Sequence, residues 1–202
     1  MSEKSLPLAV DLDGTLIRCD LFSRAMLRYC RRNPLRLAIL LWWLLQGRAY
    51  TKERLARRYK VDPAQLPYDQ RVLAWLREQH AAGRTIVLAT AYDRRAAHTI
   101  AQHLGLFDHV FASDGHINLK SQAKARRLRA AFPNGFVYAG NESADLAVWR
   151  AAKRAVIVNA APALERKAAS KFEVERVFPR ELKHMAAAEA SSKGGAHGEE
   201  PT

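Results

Sequence analysis

Apolar and polar positions follow two different rhythms along the chain. From residue 84 onward, short apolar runs rich in β-branched residues alternate with amphipathic stretches. "RTIVLAT", "HVFASD", "GFVYAG", "AVIVN" and "FEVERVF" read as strands. "DRRAAHTIAQHLGL", "SQAKARRLRAAF", "SADLAVWRAAK" and "PALERKAASK" read as the helices between them. Gly105 and Pro133-Asn134-Gly135 supply stops after the first two of those helices. Strands alternating with helices predict a mostly parallel sheet covered on both faces, an α/β three-layer sandwich of Rossmann-like character. In such a sheet, ligands sit beyond the carboxyl ends of the strands. A first strand, ending at Asp11 in "LAVDLDGTLIRCD", belongs to the same sheet by its composition.

Residues 20–82 break the rhythm and contain no convincing strand. Asn33-Pro34 predicts a helix start, with Gly47 as its stop. Thr51 is the expected cap of a second helix through "KERLARRYK", and "YDQRVLAWLREQH" predicts a third that ends before Gly83. The expected organisation is a core formed by residues 1–19 and 83–180, a helical cap inserted at 20–82, and a flexible tail at 181–202.

The chain of 202 residues is 49% hydrophobic, enough for a packed core, and carries a formal charge of +13. Residues 20–82 hold thirteen Arg/Lys against five Asp/Glu, so the cap takes much of that excess. A balance this basic points to an anionic partner. No nucleic-acid motif is present, and none is expected as a partner. Cys19 and Cys30 lack a CxxC spacing and read as free thiols, and "MSEKSLPLAV" lacks the apolar core of a secretory signal. A cytoplasmic protein is expected. The longest apolar run, "LAILLWWLL", falls short of the roughly 20 residues a bilayer span needs.

Four polar features fall at the expected carboxyl edge of the sheet: Asp11 with Asp13, Thr90, Lys120 after "SDGHIN", and "GNESAD" with Asn141 and Asp145. Any one of them could be a cap or a solvated side chain. Their order and shared edge argue for one site. The histidines show no metal-ligand spacing.

"DLDGTL", a strand ending in Thr90, Lys120 and "GNESAD" together resemble the four-motif pattern of the haloacid dehalogenase-like hydrolases. The insertion after the first motif resembles the cap of the phosphoserine-phosphatase-like members. "VDLDGTL", "NLK" and "AGNESADLAVWRAAKRAVIVN", with a basic Trp-bearing cap, are closer to the hydrolase domain fused in some bacteria to UbiA-type prenyltransferases, of which this sequence would be a free-standing version. The resemblance implies a Mg²⁺-dependent phosphatase that works through an aspartyl-phosphate. Asp11 would be the nucleophile and Asp13 the acid/base. Gly14, Thr90, Ala91 and Lys120 would hold phosphate. Asp11, Asp13, Asn141 and Asp145 would serve the metal, Asp13 through its backbone carbonyl and Asp145 through water or by orienting the shell.

Two positions depart from the pattern. The fourth motif begins Gly140-Asn141 where the family commonly has Gly-Asp, which removes a charge from the metal set. The third-motif lysine is Lys120, in the loop at the helix start, with Lys124 one turn inside the helix as the alternative. Asn141 also supports a different reading, a catalytically weak accessory module of a membrane prenyltransferase; a soluble phosphoserine-like phosphatase is a further alternative. "LRLAILLWWLLQGR" is apolar on nearly all faces and flanked by Arg28, Arg31, Arg32 and Arg36 before and by Arg48, Lys52, Arg54, Arg57 and Arg58 after. It is expected either to be buried or to dock on the anionic inner membrane surface, where the cap would admit a lipid-linked phosphate.

Overall fold

The computed structural model describes residues 5–181 except 32, 34 and 115. Six strands form one parallel sheet in the order β3-β2-β1-β4-β5-β6. They are β1 (Leu8–Val10), β2 (Ile86–Asp93), β3 (His109–Ser113), β4 (Val137–Gly140), β5 (Arg154–Val158) and β6 (Val174–Phe178). Buried on both faces, β1, β2, β4 and β5 read as near-continuous apolar runs, as parallel strands do, whereas the edge strands β3 and β6 are partly exposed. Alternation assigns the two faces. Leu8, Val10, Ile86, Leu88, Val137 and Ala139 point into one core, and Ala9, Val87, Ala89, Tyr138 and Ile157 into the other.

Helices α4 (Gln70–Ala81) and α5 (Arg94–Leu104) cover the first face through Val72, Leu76, Ala97 and Ile100. Helices α6 (Gln122–Ala131), α7 (Leu146–Trp149) and α8 (Pro162–Ala169) cover the second, where Trp149 is buried and its indole N–H donates to the Tyr138 carbonyl at 3.1 Å. β1 is central: Leu8 pairs with Ile86 on one side and with Val137 on the other. Strand order reverses there, which opens a crevice beyond the end of β1, where Asp11 lies.

Three helices build the cap: α1 (Leu21–Arg31), α2 (Arg36–Leu45) and α3 (Arg48–Arg58). They differ from expectation in three ways. First, α1 was not expected, although Asp20 accepts from the backbone N–H groups of Phe22 and Ser23 as a helix cap does. Leu21, Phe22, Ala25 and Tyr29 form its buried face. Second, Thr51 does not start the next helix. It lies inside α3, where its hydroxyl donates to the Gly47 carbonyl. Gly47, with φ of 114°, links α2 to α3 with little chain between them. Third, α2 begins at Arg36 rather than after Asn33; Asn33 Oδ1 accepts from the Leu35 N–H, and Pro34 is outside the described residues.

The third expected cap helix, α4, packs on the sheet. Trp75 lies 5.5 Å from the Phe178 ring of β6. Its N-cap, Asp69, accepts from the Asn159 side-chain amide after β5. The lid therefore returns to the sheet near Tyr68. There Ile17 bridges to Tyr68, and the Asp69 N–H donates to the Leu16 carbonyl, so the outgoing and returning strands of the hinge are tied together. At the other end of the chain, "SADLAVWRAAK" yields only a 3₁₀ turn (Ser143–Asp145) and the four residues of α7, because Lys153 must already pair its N–H with the Phe136 carbonyl. The tail expected at 181–202 lies outside the described residues after Glu181.

Candidate active site

β1 delivers Asp11 to the sheet edge, and the Asp11 N–H still bonds the Ala139 carbonyl of β4. Its carboxylate is buried and meets Lys124 Nζ at 2.7 Å. Lys124 also donates to the Tyr138 hydroxyl at 2.8 Å, and that hydroxyl donates to Asp145 Oδ1 at 2.8 Å. Asp145 Oδ2 accepts the backbone N–H groups of Asn141 and Glu142 at 2.9 and 3.0 Å. A continuous relay, Asp11–Lys124–Tyr138–Asp145, thus runs beneath the cleft. A charge-assisted chain of this kind is stiff, because every member holds its neighbour's orientation.

This arrangement corrects the choice of lysine. Lys120 is 40% exposed and pairs with Glu142 at 2.8 Å on the rim, whereas Lys124 lies against Asp11. The reason lies in Ser121, whose φ of 51° turns the chain sharply before α6 and aims the first turn of that helix at β1.

The turn after Asp11 is fixed by size. Gly14 has φ of 74°, and a Cβ there would strike the Asn141 side chain. Gly140 admits no Cβ either, because Asp145 Oδ2 stands 2.6 Å from the place it would occupy. Asn141 Oδ1 accepts from the Thr15 hydroxyl at 3.2 Å. Asp13 Oδ1 accepts from the Leu21 N–H at 2.9 Å and so anchors the start of α1 to the site.

Thr90 is buried, and its hydroxyl accepts from the Tyr92 N–H at 3.0 Å. Its neighbour Ala91 reaches the cleft, in the bulge where the β2–β3 register shifts between Thr90 and Asp93. The cleft has a volume of about 360 Å³ and is lined by Asp11, Asp13, Gly14, Lys124, Asn141 and Asp145 among others.

Two further groups in the cleft have no counterpart in the motif reading. Lys52 reaches down from α3 and donates to the Ala91 carbonyl at 2.6 Å, which brings a lid cation to the end of β2. Asn118 also lines the cleft, and its Oδ1 is buried with no hydrogen-bond partner among the described residues. Lys52 was hidden among many cap cations. Asn118 sits in "NLK", a segment singled out for its lysine.

Burial, partly offset by Lys124 and reinforced by Asp145, raises the Asp11 carboxyl to about 6. Burial raises Asp13 to about 7, with the Leu21 N–H opposing and the charge of Asp11 adding to the rise. Burial alone would lower Lys124, but Asp11 and Asp145 outweigh it and leave the amine raised, hence charged.

The cleft is therefore short of positive charge. Asp11, Asp13 and Asn141 offer oxygen donors, the kind a hard divalent cation such as Mg²⁺ takes, and a cation there would relieve both raised carboxyls. Asp11, Asp13 and Asn141 have oxygens facing the cleft, whereas both oxygens of Asp145 are already engaged by protein donors. Asp145 thus fits the role of orienting the shell. Among the described residues, no group of three or more His, Cys, Asp or Glu stands ready-made as a metal cluster.

A parallel sheet with a capped crevice and paired aspartates at the end of its central strand places the chain among α/β proteins of Rossmann-like fold. Residues 8–150 match the haloacid dehalogenase-like hydrolases, and the chain belongs to that family. The uncharacterized protein y4nM of Sinorhizobium fredii (strain NBRC 101917 / NGR234) is 41% identical over 156 residues, which are 77% of this chain. The chain spans only 30% of that relative's length.

Among solved structures, a Bordetella pertussis Tohama I protein of unknown function aligns with a TM-score of 0.64 at 18% identity, covering 87% of this chain and 98% of that one. Phosphoserine phosphatase in its apo form aligns with a TM-score of 0.60 at 18% identity over 91% of this chain and 98% of the other. A phospho-aspartyl intermediate analogue of phosphoserine phosphatase aligns with a TM-score of 0.59 at 16% identity over 92% and 99%. At these identities the likeness concerns the fold.

Proposed function

We propose that the protein is a Mg²⁺-dependent phosphatase that hydrolyses a phosphate monoester through an aspartyl-phosphate on Asp11. The observation that carries this reading is the pair of carboxyls two residues apart at the end of the central strand, one gripped by a buried lysine and the other poised near neutrality. Asp11 is the nucleophile: one carboxylate oxygen bonds phosphorus as the bond to the leaving oxygen breaks. Asp13, raised to about 7, carries a proton in a large share of molecules at neutral pH and delivers it to the leaving alkoxide. It then takes a proton from water, whose oxygen attacks the acyl phosphate, frees inorganic phosphate and restores Asp11.

Lys124 holds Asp11 in line and offsets charge on the phosphoryl oxygens, and the backbone around Gly14 and Ala91 borders the place where they sit. Asp11, Asp13 and Asn141 would hold Mg²⁺, with Asp145 orienting the shell. Held there, the ion would supply positive charge to offset that of the carboxylates and the phosphate.

The finer reading of the substrate, a phosphate on a lipid-linked sugar handled beside a UbiA-type prenyltransferase at the inner membrane face, is supported by the basic lid with its exposed apolar helix. The experiment is phosphate release with Mg²⁺ from a panel of soluble monoesters and lipid-linked sugar phosphates, with Asp11→Asn as control. Release by the wild type that the variant lacks supports the phosphatase, and equal release by both removes it. Preference for the lipid-linked arm supports the finer substrate, and preference for phosphoserine-like monoesters replaces it.

A further inference from the structure

Helix α2 lacks the polar outer face a lid helix needs in water. Leu40 and Trp43 turn inward, against Tyr29 of α1 among others. The opposite side exposes Leu37 (51%), Leu41 (54%), Trp42 (54%) and Leu45 (84%), and between Arg36 and Gln46 the sequence places no polar residue. These positions recur at helical spacing and form one stripe. An apolar patch of this kind marks a docking surface.

The charge around it narrows the choice of occupant. Residues 21–61 contain eleven Arg/Lys and one acidic residue, Glu53, which is already paired with Arg57 at 2.6 Å. Two of these cations, Arg36 at the start of α2 and Arg58 at the end of α3, stack on aromatic rings of the lid. The Arg58 guanidinium stacks over the Trp43 ring at 4.8 Å, and Arg36 stacks over Tyr29 at 5.3 Å. Arg36, Arg58, Tyr29 and Tyr59 line an open cavity of about 410 Å³, and among the described residues neither arginine is paired with a carboxylate. Two such lids facing each other would repel, so a second copy of the chain is a poor occupant. A surface that is apolar inside and anionic at its rim is complementary to the stripe and its cations.

We infer that α2 docks the lid on an anionic phospholipid bilayer, with Leu37, Leu41, Trp42 and Leu45 inserted among the acyl chains and the Arg36–Arg58 cavity receiving a lipid phosphate. No helix among the described residues is long and apolar enough to cross a membrane, and α2, ten residues long, lies in the interface plane. The docking is independent of catalysis, so it is tested in Asp11→Asn protein and survives a failure of the phosphatase reading.

The probe is vesicles of phosphatidylcholine mixed with phosphatidylglycerol, against pure phosphatidylcholine, read by flotation and by tryptophan fluorescence. Trp43, Trp75 and Trp149 are buried, so a blue shift on binding reports Trp42. Binding to the anionic vesicles alone, weakened by salt, is expected. Leu41→Asp with Trp42→Ser is expected to reduce partition on the order of tenfold or more while circular dichroism stays unchanged, since both side chains are exposed. Trp42→Phe is expected to keep partition and lose the spectral shift, and Arg36→Gln with Arg58→Gln to flatten the preference for anionic lipid. Three results would overturn the inference. They are no partition at low salt, partition indifferent to Leu41→Asp with Trp42→Ser, or a dimer that persists with vesicles and is dissolved by those same substitutions.

Discussion

Two acids flank the lid hinge, Asp69 buried and Asp13 half-buried, and the protein treats them in opposite ways. Asp69, at the returning end, accepts from the Arg71 guanidinium at 2.8 and 3.1 Å and from the Asn159 amide at 2.9 Å, with Arg18 at 3.4 Å. Burial pushes its carboxyl up, but those donors outweigh it and hold it well below the usual range. Asp13, at the outgoing end, has one backbone N–H bonded to its carboxylate and rises to about 7. A surplus of cationic donors makes a permanent lock, whereas a shortage makes a carboxyl that exchanges protons and welcomes a cation. The same residue type becomes structural or reactive according to what is aimed at it.

The contrast can be broken most severely at Asp11, the proposed nucleophile. Asp11→Asn is expected to bring phosphate release to background with a melting temperature no lower than wild type, since it removes a charge that burial disfavours. Release assays and thermal melts on one preparation check both halves. Asp13→Asn is expected to lower turnover by about 10²–10⁴-fold. Asp69→Asn should do the reverse of both, costing about 2–3 kcal/mol of stability by chemical denaturation, because Arg18, Arg71 and the Asn159 amide lose the charged acceptor they share.

Tyr138→Phe tests the relay. It removes the bridge between Lys124 and Asp145 and is expected to cost about 1.5–3 kcal/mol, read as a fall in kcat with little change in KM. A change in KM alone would show that Tyr138 does not position Lys124.

The smallest effect is in pH. Asp13 has a folded value raised above its ordinary one of about 3.9, so its contribution to stability is present below that value and is lost as pH rises through about 7. Asp69 has a lowered folded value, so its contribution is present above about 3.9 and is lost as pH falls. In metal-free protein, the melting temperature should decline from about pH 5 to about pH 8 in wild type and less so in Asp13→Asn. Acid should erode the wild type more than Asp69→Asn.

The sheet was legible because parallel strands are apolar runs with helices between them, and every expected strand from residue 84 onward is present. The lid was less legible, because its signals lie in single side chains that also have other uses. Asp20, which no motif singles out, caps α1, and Thr51 reads as a cap yet sits mid-helix. At the site, motif order located loops that meet in one cleft but not which lysine turns inward. That depends on the φ of Ser121, a torsion no spacing rule carries. Tyr138 escaped notice because a tyrosine in a strand reads as core, and only the positions of Lys124 and Asp145 give its hydroxyl a task.

The central place of β1 has a consequence for how the chain comes to life. Its partners are supplied from about residue 86 and about residue 137. The strand that bears Asp11 is made before either partner and cannot be seated until β4 has left the ribosome. Such distant pairings slow folding and concentrate it in a late step. Through synthesis, Asp11 is an ordinary solvated carboxylate. It takes its buried place against Lys124 only when α6, the lid and the far half of the sheet arrive together, so a chain that stops short of them carries the motif without its setting.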